Sequence, residues 1–145
     1  MVVADFVRKK VFLDTAPLIY FIEGHSVYQP SLIKIFDAND KGDFEFITSC
    51  ITLLEVLVKP LQSNQTQLTS RYKYILTNAP GIKIYDISSN ISILAAELRA
   101  TYNLKTPDAL QIAVAIEYKA DYFLTNDARL KQVTQINTVM LADIT

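Results

Sequence analysis

Short apolar runs alternate along this sequence with longer segments whose apolar residues recur at helical spacing. That alternation limits the chain to few folds, because parallel strands need long crossovers that are usually helices. Val11 to Leu13, Phe44 to Ser49, Ile82 to Tyr85, Tyr122 to Thr125 and Thr138 to Leu141 read as strands. Phe44, Phe46 and Thr48 are expected to share one face of the second strand. Pro17 stands just inside a helix carrying Leu18 to Ile22, which Gly24 stops. Ser31 to Ala38 is the next helix, with Asn39 to Asp43 as its exit turn. Ile51 to Val58 is helical and expected to break near Pro60, and Gln65 to Leu76 forms another amphipathic helix. Ser88 or Ser89 caps a helix reaching Tyr102, and a short helix starts at Ala128. Thr106 and Pro107 are placed as N-cap and first residue of a helix whose body, Ala109 to Ile116, is apolar almost all round and therefore central. The expected fold is a three-layer α/β/α domain with a mainly parallel central sheet, occupying residues 1–145 as one unit.

Composition removes several function classes. Half of the 145 residues are hydrophobic, and 14 basic side chains nearly balance 15 acidic ones, so the chain is too apolar and too weakly charged to stay unfolded. Three scattered glycines cannot write a phosphate-cradling loop or a dinucleotide fingerprint. One cysteine and one histidine exclude a disulfide, a Cys/His zinc cluster and a pair of imidazoles. His25 falls in a loop and Cys50 reads as a small buried residue; neither is given a functional role. No apolar run approaches the ~18 residues of a membrane span, and Arg8, Lys9 and Lys10 follow Asp5 where a signal peptide would place its apolar segment. A cytoplasmic protein that does not enter a membrane is expected. Any chemistry then falls to carboxylates.

In open parallel sheets, ligands bind beyond the carboxyl ends of the strands. Asp14 directly follows the first strand, and Asp127 lies two residues past the strand ending at Thr125. Glu55 interrupts an apolar helix one turn after the second strand, with Thr52 on its face, and Asp108 is near the start of the central helix. Each has a structural alternative. Asp14 could cap a helix, Asp108 could complement a helix dipole, Glu55 could pair with Lys59, and Asp127 could open the turn holding Arg129. If all four face one crevice, their repulsion calls for a cation. Hard divalent ions such as Mg²⁺ or Mn²⁺ suit carboxylate oxygens, activate water and neutralise charge on a leaving phosphate oxygen.

Four segments carry a family resemblance: Val11 to Glu23 (VFLDTAPLIYFIE), Ser49 to Glu55 (SCITLLE), Thr106 to Ala113 (TPDALQIA) and Phe123 to Asp127 (FLTND). In order and spacing they resemble the motifs of PIN-domain ribonucleases, in particular VapC-type toxins of toxin–antitoxin pairs, over nearly the whole chain. The resemblance implies a Mg²⁺- or Mn²⁺-dependent endoribonuclease whose metal-binding acids are Asp14, Glu55, Asp108 and Asp127. Thr125 and Asn126 match the polar positions of the last motif and support the site. It also implies an RNA substrate, a small antitoxin that pushes a segment into the acidic crevice, and dimerisation. Arg99, Lys105 and Arg129 lie near the expected crevice and are candidates for RNA phosphates. Tyr72, Tyr74 and Ile75 are available either to a dimer or antitoxin face or to the core.

Other enzymes of this layered class fit less well. An aspartate-nucleophile phosphatase wants a second Asp two residues after the first, where this chain has Ala16, and a phospho-acceptor receiver wants adjacent acids, where it has Thr15. The rival from another class is a catalytically inactive PIN-like module that binds RNA or protein, whose signature is loss of a motif acid; all four are present. On the nuclease reading, Asp14→Asn or Asp108→Asn abolishes cleavage and leaves thermal stability nearly unchanged.

Overall fold

A strand without an exposed side chain must be covered on both faces, and β1 (Lys10–Leu13) comes close, with Val11, Phe12 and Leu13 all wholly buried. In this computed structural model, which describes residues 1–144, β1 is the middle of a five-stranded sheet ordered β3-β2-β1-β4-β5. The other strands are β2 (Glu45–Ser49), β3 (Ile82–Tyr85), β4 (Tyr122–Thr125) and β5 (Thr138–Met140), and every pairing is parallel.

Alternation along the strands sends successive side chains into two separate cores. Val11, Leu13, Phe46 and Leu124 join one, with Leu18 and Ile22 of α1 (Thr15–Glu23), Leu32, Ile35 and Phe36 of α2 (Gln29–Asp40), Val56 of α3 (Cys50–Gln62), and Tyr72 and Leu76 of α4 (Thr66–Asn78). Phe12, Ile47 and Phe123 point the other way. They meet Ile91, Ala95 and Leu98 of α5 (Ser89–Thr101) and the almost wholly apolar α6 (Thr106–Glu117). Phe12 and Phe123 stack across β1 and β4 with ring centroids 4.9 Å apart. The expected α/β/α layering and parallel sheet are therefore present, and no helix among the described residues is long and apolar enough to cross a membrane.

Four local expectations change. The helix expected to break near Pro60 continues to Gln62: the proline is buried and stands two residues from the helix end, so its missing N–H and ring disturb only the last turn. The central helix starts one residue early, with Lys105 at the N-cap position and Thr106 already helical, because the Thr106 hydroxyl is engaged by Arg99 instead of capping. The second strand begins at Glu45 rather than Phe44. Asn39, expected in an exit turn, belongs to the last turn of α2 and is buried. Its Nδ2 donates to the carbonyls of Phe44 at 3.1 Å and Gly81 at 2.8 Å, tying α2 to the starts of β2 and β3. Gly81 permits this approach, since a Cβ there would stand 2.6 Å from Asn39 Oδ1.

The chain runs from β1 outward to β3, then crosses back to place β4 on the other side of β1. This reversal opens a crevice beyond the carboxyl ends of β1 and β4. Asn39→Ala should lower folding stability by about 1–2 kcal/mol in urea denaturation, because Phe44 and Gly81 lose a donor. Gly81→Ala should also destabilise, and neither change should alter chemistry at the distant crevice.

Candidate active site

Asp14 leaves β1 at the crevice and caps α1, its Oδ1 accepting the Thr15 backbone N–H at 2.9 Å. Its other oxygen, Oδ2, accepts the Thr125 hydroxyl at 2.7 Å. The same hydroxyl oxygen accepts the Asp127 backbone N–H at 3.1 Å, so one threonine at the end of β4 ties together the segments carrying two of the acids. Asp108 stands on the first turn of α6, and Glu55 projects from α3, its Oε1 accepting the Thr15 hydroxyl at 2.7 Å. Asp14, Glu55, Asp108 and Asp127 line one cleft of about 320 Å³, together with Thr15, Ala16, Ile19, Tyr20, Thr125 and Asn126.

Two of the structural alternatives are also real. Asp14 is a helix cap, and Asp127 caps the short 3-10 turn Ala128–Gln132 through the Arg129 backbone N–H at 3.0 Å. The Glu55–Lys59 pair does not form among the described residues; Thr15 takes its place. Capping and lining the cleft are compatible because a cap uses one carboxylate oxygen and leaves the other for a second partner, Thr125 at Asp14 and Arg129 at Asp127.

The charges are unequal. Burial is the largest influence on Asp14 and lifts its pKa from 3.8 to about 6; hydrogen bonds from Thr125 and Thr15 oppose this, and Asp108 and Glu55 add repulsion. Asp108 is also raised, first by burial and then by the Asp127 and Glu55 charges, against the pull of Arg129 and Lys105. Asp127 moves the other way, held below the ordinary carboxylate range by Arg129. The Arg129 guanidinium grips it with Nε at 3.0 and 3.2 Å and Nη2 at 2.6 Å.

These engagements modify the expected convergence. Among the described residues, no three His, Cys, Asp or Glu side chains come close enough to hold one ion together as they stand. Arg129 holds Asp127 and Thr15 holds Glu55. Of the cations expected near the crevice, Arg129 and Lys105 act on Asp108 and Asp127. Arg99 is committed elsewhere, donating to the Leu104 carbonyl at 3.0 Å and to the Thr106 hydroxyl at 2.8 Å, where it braces the turn between α5 and α6. Tyr72 is wholly buried and donates to Glu23, whereas Tyr74 is exposed.

Sequence reasoning missed the shelf under the cleft. The Gln111 side chain of α6 donates to Thr52 Oγ1 at 2.6 Å and accepts the Ser49 hydroxyl. Thr48 donates to the Leu13 carbonyl at 2.9 Å. Its single proton being used there, the 2.9 Å contact between the Thr48 and Thr52 hydroxyls has Thr52 as donor. The chain of bonds joins β1, β2, α3 and α6 directly beneath Thr15 and Glu55. One polar residue inside an otherwise apolar central helix was the available signal, since a buried amide needs partners. Thr15 and Tyr20 were also passed over; both are placed by the helix that Asp14 starts.

Comparison with known proteins agrees with this geometry. VapBC2 from Rickettsia felis, bound to a DNA fragment from its promoter, superposes with TM-score 0.73 at 20% identity, over 90% of this chain and 98% of that one. A toxin–antitoxin complex from Klebsiella pneumoniae gives TM-score 0.67 at 22% identity, covering 91% and 97%. The Mycobacterium tuberculosis toxin VapC20, described as cleaving the sarcin-ricin loop, gives 0.69 at 11% identity, covering 88% and 98%. At these identities the likeness is one of fold. No curated protein sequence matches the chain. The PIN domain family model matches residues 11–136, a span holding all four acids, and the chain belongs to the PIN domain family.

Proposed function

We propose that this chain is a divalent-metal-dependent endoribonuclease and the toxin of a toxin–antitoxin pair. The observation that carries the proposal is that four carboxylates from four separate elements line one cleft at the strand-order reversal of a PIN domain. The donor set fits Mg²⁺ or Mn²⁺: it is all oxygen, with no imidazole or thiolate, and burial together with neighbouring acids penalises the charged forms of Asp14 and Asp108, a penalty that a cation offsets. Such ions are commonly held by one or two carboxylates with waters completing the shell, so a cage of three is not required. Asp14 and Asp108 would hold the ion, and Glu55 and Asp127 would complete the acidic wall. Bound there, it would supply acidification of water and charge neutralisation on a phosphodiester.

The protein's own residues then have defined work. Thr125 holds Asp14 in one rotamer, and Thr15 does the same for Glu55. Arg129 and Lys105 supply the positive charge that an RNA phosphate needs beside an acidic wall. Because Arg129 rests on Asp127, a phosphate entering the cleft competes for a guanidinium that is already oriented. An antitoxin partner is proposed from the toxin–antitoxin complex among the structural neighbours, and a homodimer from the family resemblance of the sequence. The outward stripe Leu54, Val58 and Leu61 of α3 is exposed apolar surface suited to a protein partner.

Purified protein incubated with single-stranded RNA and Mg²⁺ should cleave it to 5′-phosphate and 3′-hydroxyl ends. Chelator, Asp14→Asn or Asp108→Asn should abolish the cut. Mutant activity equal to wild type would remove that acid from the site, and metal-independent cleavage would remove the ion. Induced alone in cells, the wild-type chain should arrest growth and Asp108→Asn should not.

Thr125→Val should weaken Mn²⁺ binding and cleavage by about 10–100-fold, as expected when the partner of a ligand is lost, and Thr125→Ser should restore both. Calorimetric metal titration separates this from a folding defect.

The metal-free protein has a pH dependence of known sign. Asp14 has a higher pKa folded than unfolded, so the native state binds more protons and stability falls as pH rises through about 4 to 6. In chelator at pH 7, Asp14→Asn should therefore be more stable than wild type, by roughly 2 kcal/mol, and the gap should close toward pH 4. Denaturant melts at both pH values measure this, and the near-neutral effect expected from sequence is replaced because Asp14 is buried.

A further inference from the structure

Three aromatic rings stand beside the acidic cleft and take no part in the chemistry above. Tyr20 lines the cleft itself, on the second turn of the helix that Asp14 starts. Its ring lies 5.8 Å from that of Tyr28, at an interplanar angle of 12°, and 4.4 Å from the imidazole of His25. His25 and Tyr28 are 4.9 Å apart, closing the group. All three are half-buried, Tyr20 and Tyr28 at the edge of the first core against which they pack, whereas Phe6, Phe12 and Phe46 are wholly buried.

The group is built by local backbone geometry. Gly24 has φ +81°, a conformation that turns the chain so that both its own N–H and that of His25 return to the Tyr20 carbonyl at 3.1 Å. This lays the imidazole against Tyr20. His25 Nδ1 then accepts the backbone N–H groups of Val27 at 3.1 Å and Tyr28 at 3.3 Å, which fixes the following turn and sets Tyr28 beside the other two. With Nδ1 accepting, the neutral ring carries its proton on Nε2, and that donor has no protein acceptor among the described residues. On the cleft side, Asn126 Nδ2 donates to the Tyr20 hydroxyl at 3.2 Å, linking the aromatic group to the end of β4 one residue before Asp127.

Flat π-faces with a few polar edges, next to a site that handles phosphate, are what an unpaired nucleobase requires. We infer that Tyr20, His25 and Tyr28 form a nucleobase-binding subsite that stacks an unpaired base adjacent to the phosphate seated at the acidic cleft. The inference rests on the ribonuclease proposal and narrows it: the substrate is RNA whose bases are unstacked at the cut, so uninterrupted duplex is refused. The subsite is independent of sequence readout from base edges, apart from the free His25 Nε2–H.

The test uses a short single-stranded RNA carrying 2-aminopurine at successive positions, bound to the full chain in a non-cleaving Asp108→Asn background. At one position, binding should quench the 2-aminopurine. Tyr28→Phe should keep the quenching. Tyr28→Leu, which keeps apolar bulk but loses the flat ring, should reduce the quenching and raise Kd about tenfold. His25→Asn should act in the same direction, since Asn can still accept the turn's N–H groups and so preserves the local fold. In the cleaving protein the same substitutions should raise KM and leave kcat close to wild type. An RNA with an abasic site at the quenched position should bind wild type as weakly as it binds Tyr28→Leu.

Unchanged quenching and Kd in both Tyr28→Leu and His25→Asn would overturn the subsite while leaving the nuclease proposal intact. Equal abasic penalties in wild type and variant would do the same. Wild-type protein that neither binds nor cuts RNA would overturn both.

Discussion

The parallel pairing of β1 with β4 is the constraint on which the cleft depends. Its register sets Leu13 opposite Leu124, so the next residues, Asp14 and Thr125, emerge side by side at the carboxyl edge. The 2.7 Å bond between them follows from that register, as does the position of Asp127 two residues further on. A slip of one residue would turn Asp14 into the sheet and bring Leu13 to the cleft side. The stacked Phe12 and Phe123 and the burial of the last three residues of each strand resist such a slip, so apolar packing several ångströms away fixes the acids.

The cleft is electrostatically uncomfortable by construction. Burial lifts Asp14 and Asp108, while Asp127 is relieved by a guanidinium from two residues away. A group arranged only for stability would pair every acid; here the cation sits on Asp127 and leaves Asp14 facing Asp108 and Glu55. Carboxylates shifted in this way cluster at functional sites. The Gln111, Thr52, Thr48 and Ser49 shelf beneath holds the walls at fixed spacing, since each buried polar group has a partner and movement would strand one.

Much of the fold was legible because each element's pattern agreed with its tertiary role. The apolar body of α6 announced a central helix, and Ser88 capped α5 through the Ile91 N–H. Misread points lay where a contact distant in sequence changed a local preference. Pro60 is tolerated because the helix is nearly finished, Thr106 gives up capping to receive Arg99, and Asn39 leaves its turn to serve two carbonyls from other segments. Within the cleft, Asp14 and Asp127 could be selected from strand-end positions and Glu55 and Asp108 from helix starts, but the partner of each could not. The engagement of Asp127 by Arg129 and the diversion of Arg99 depend on side-chain directions that spacing does not specify.

The sequence by itself determined the layered class and which acids stand at strand ends or helix starts, because hydrophobic periodicity and helix punctuation are local properties of the chain. Tertiary structure alone decided the strand order, the reversal that opens the crevice, the unequal charge of the four acids and the aromatic group at its edge. Burial and distance between segments far apart in the chain create these features, and neither quantity exists until the two cores have formed on opposite faces of the sheet.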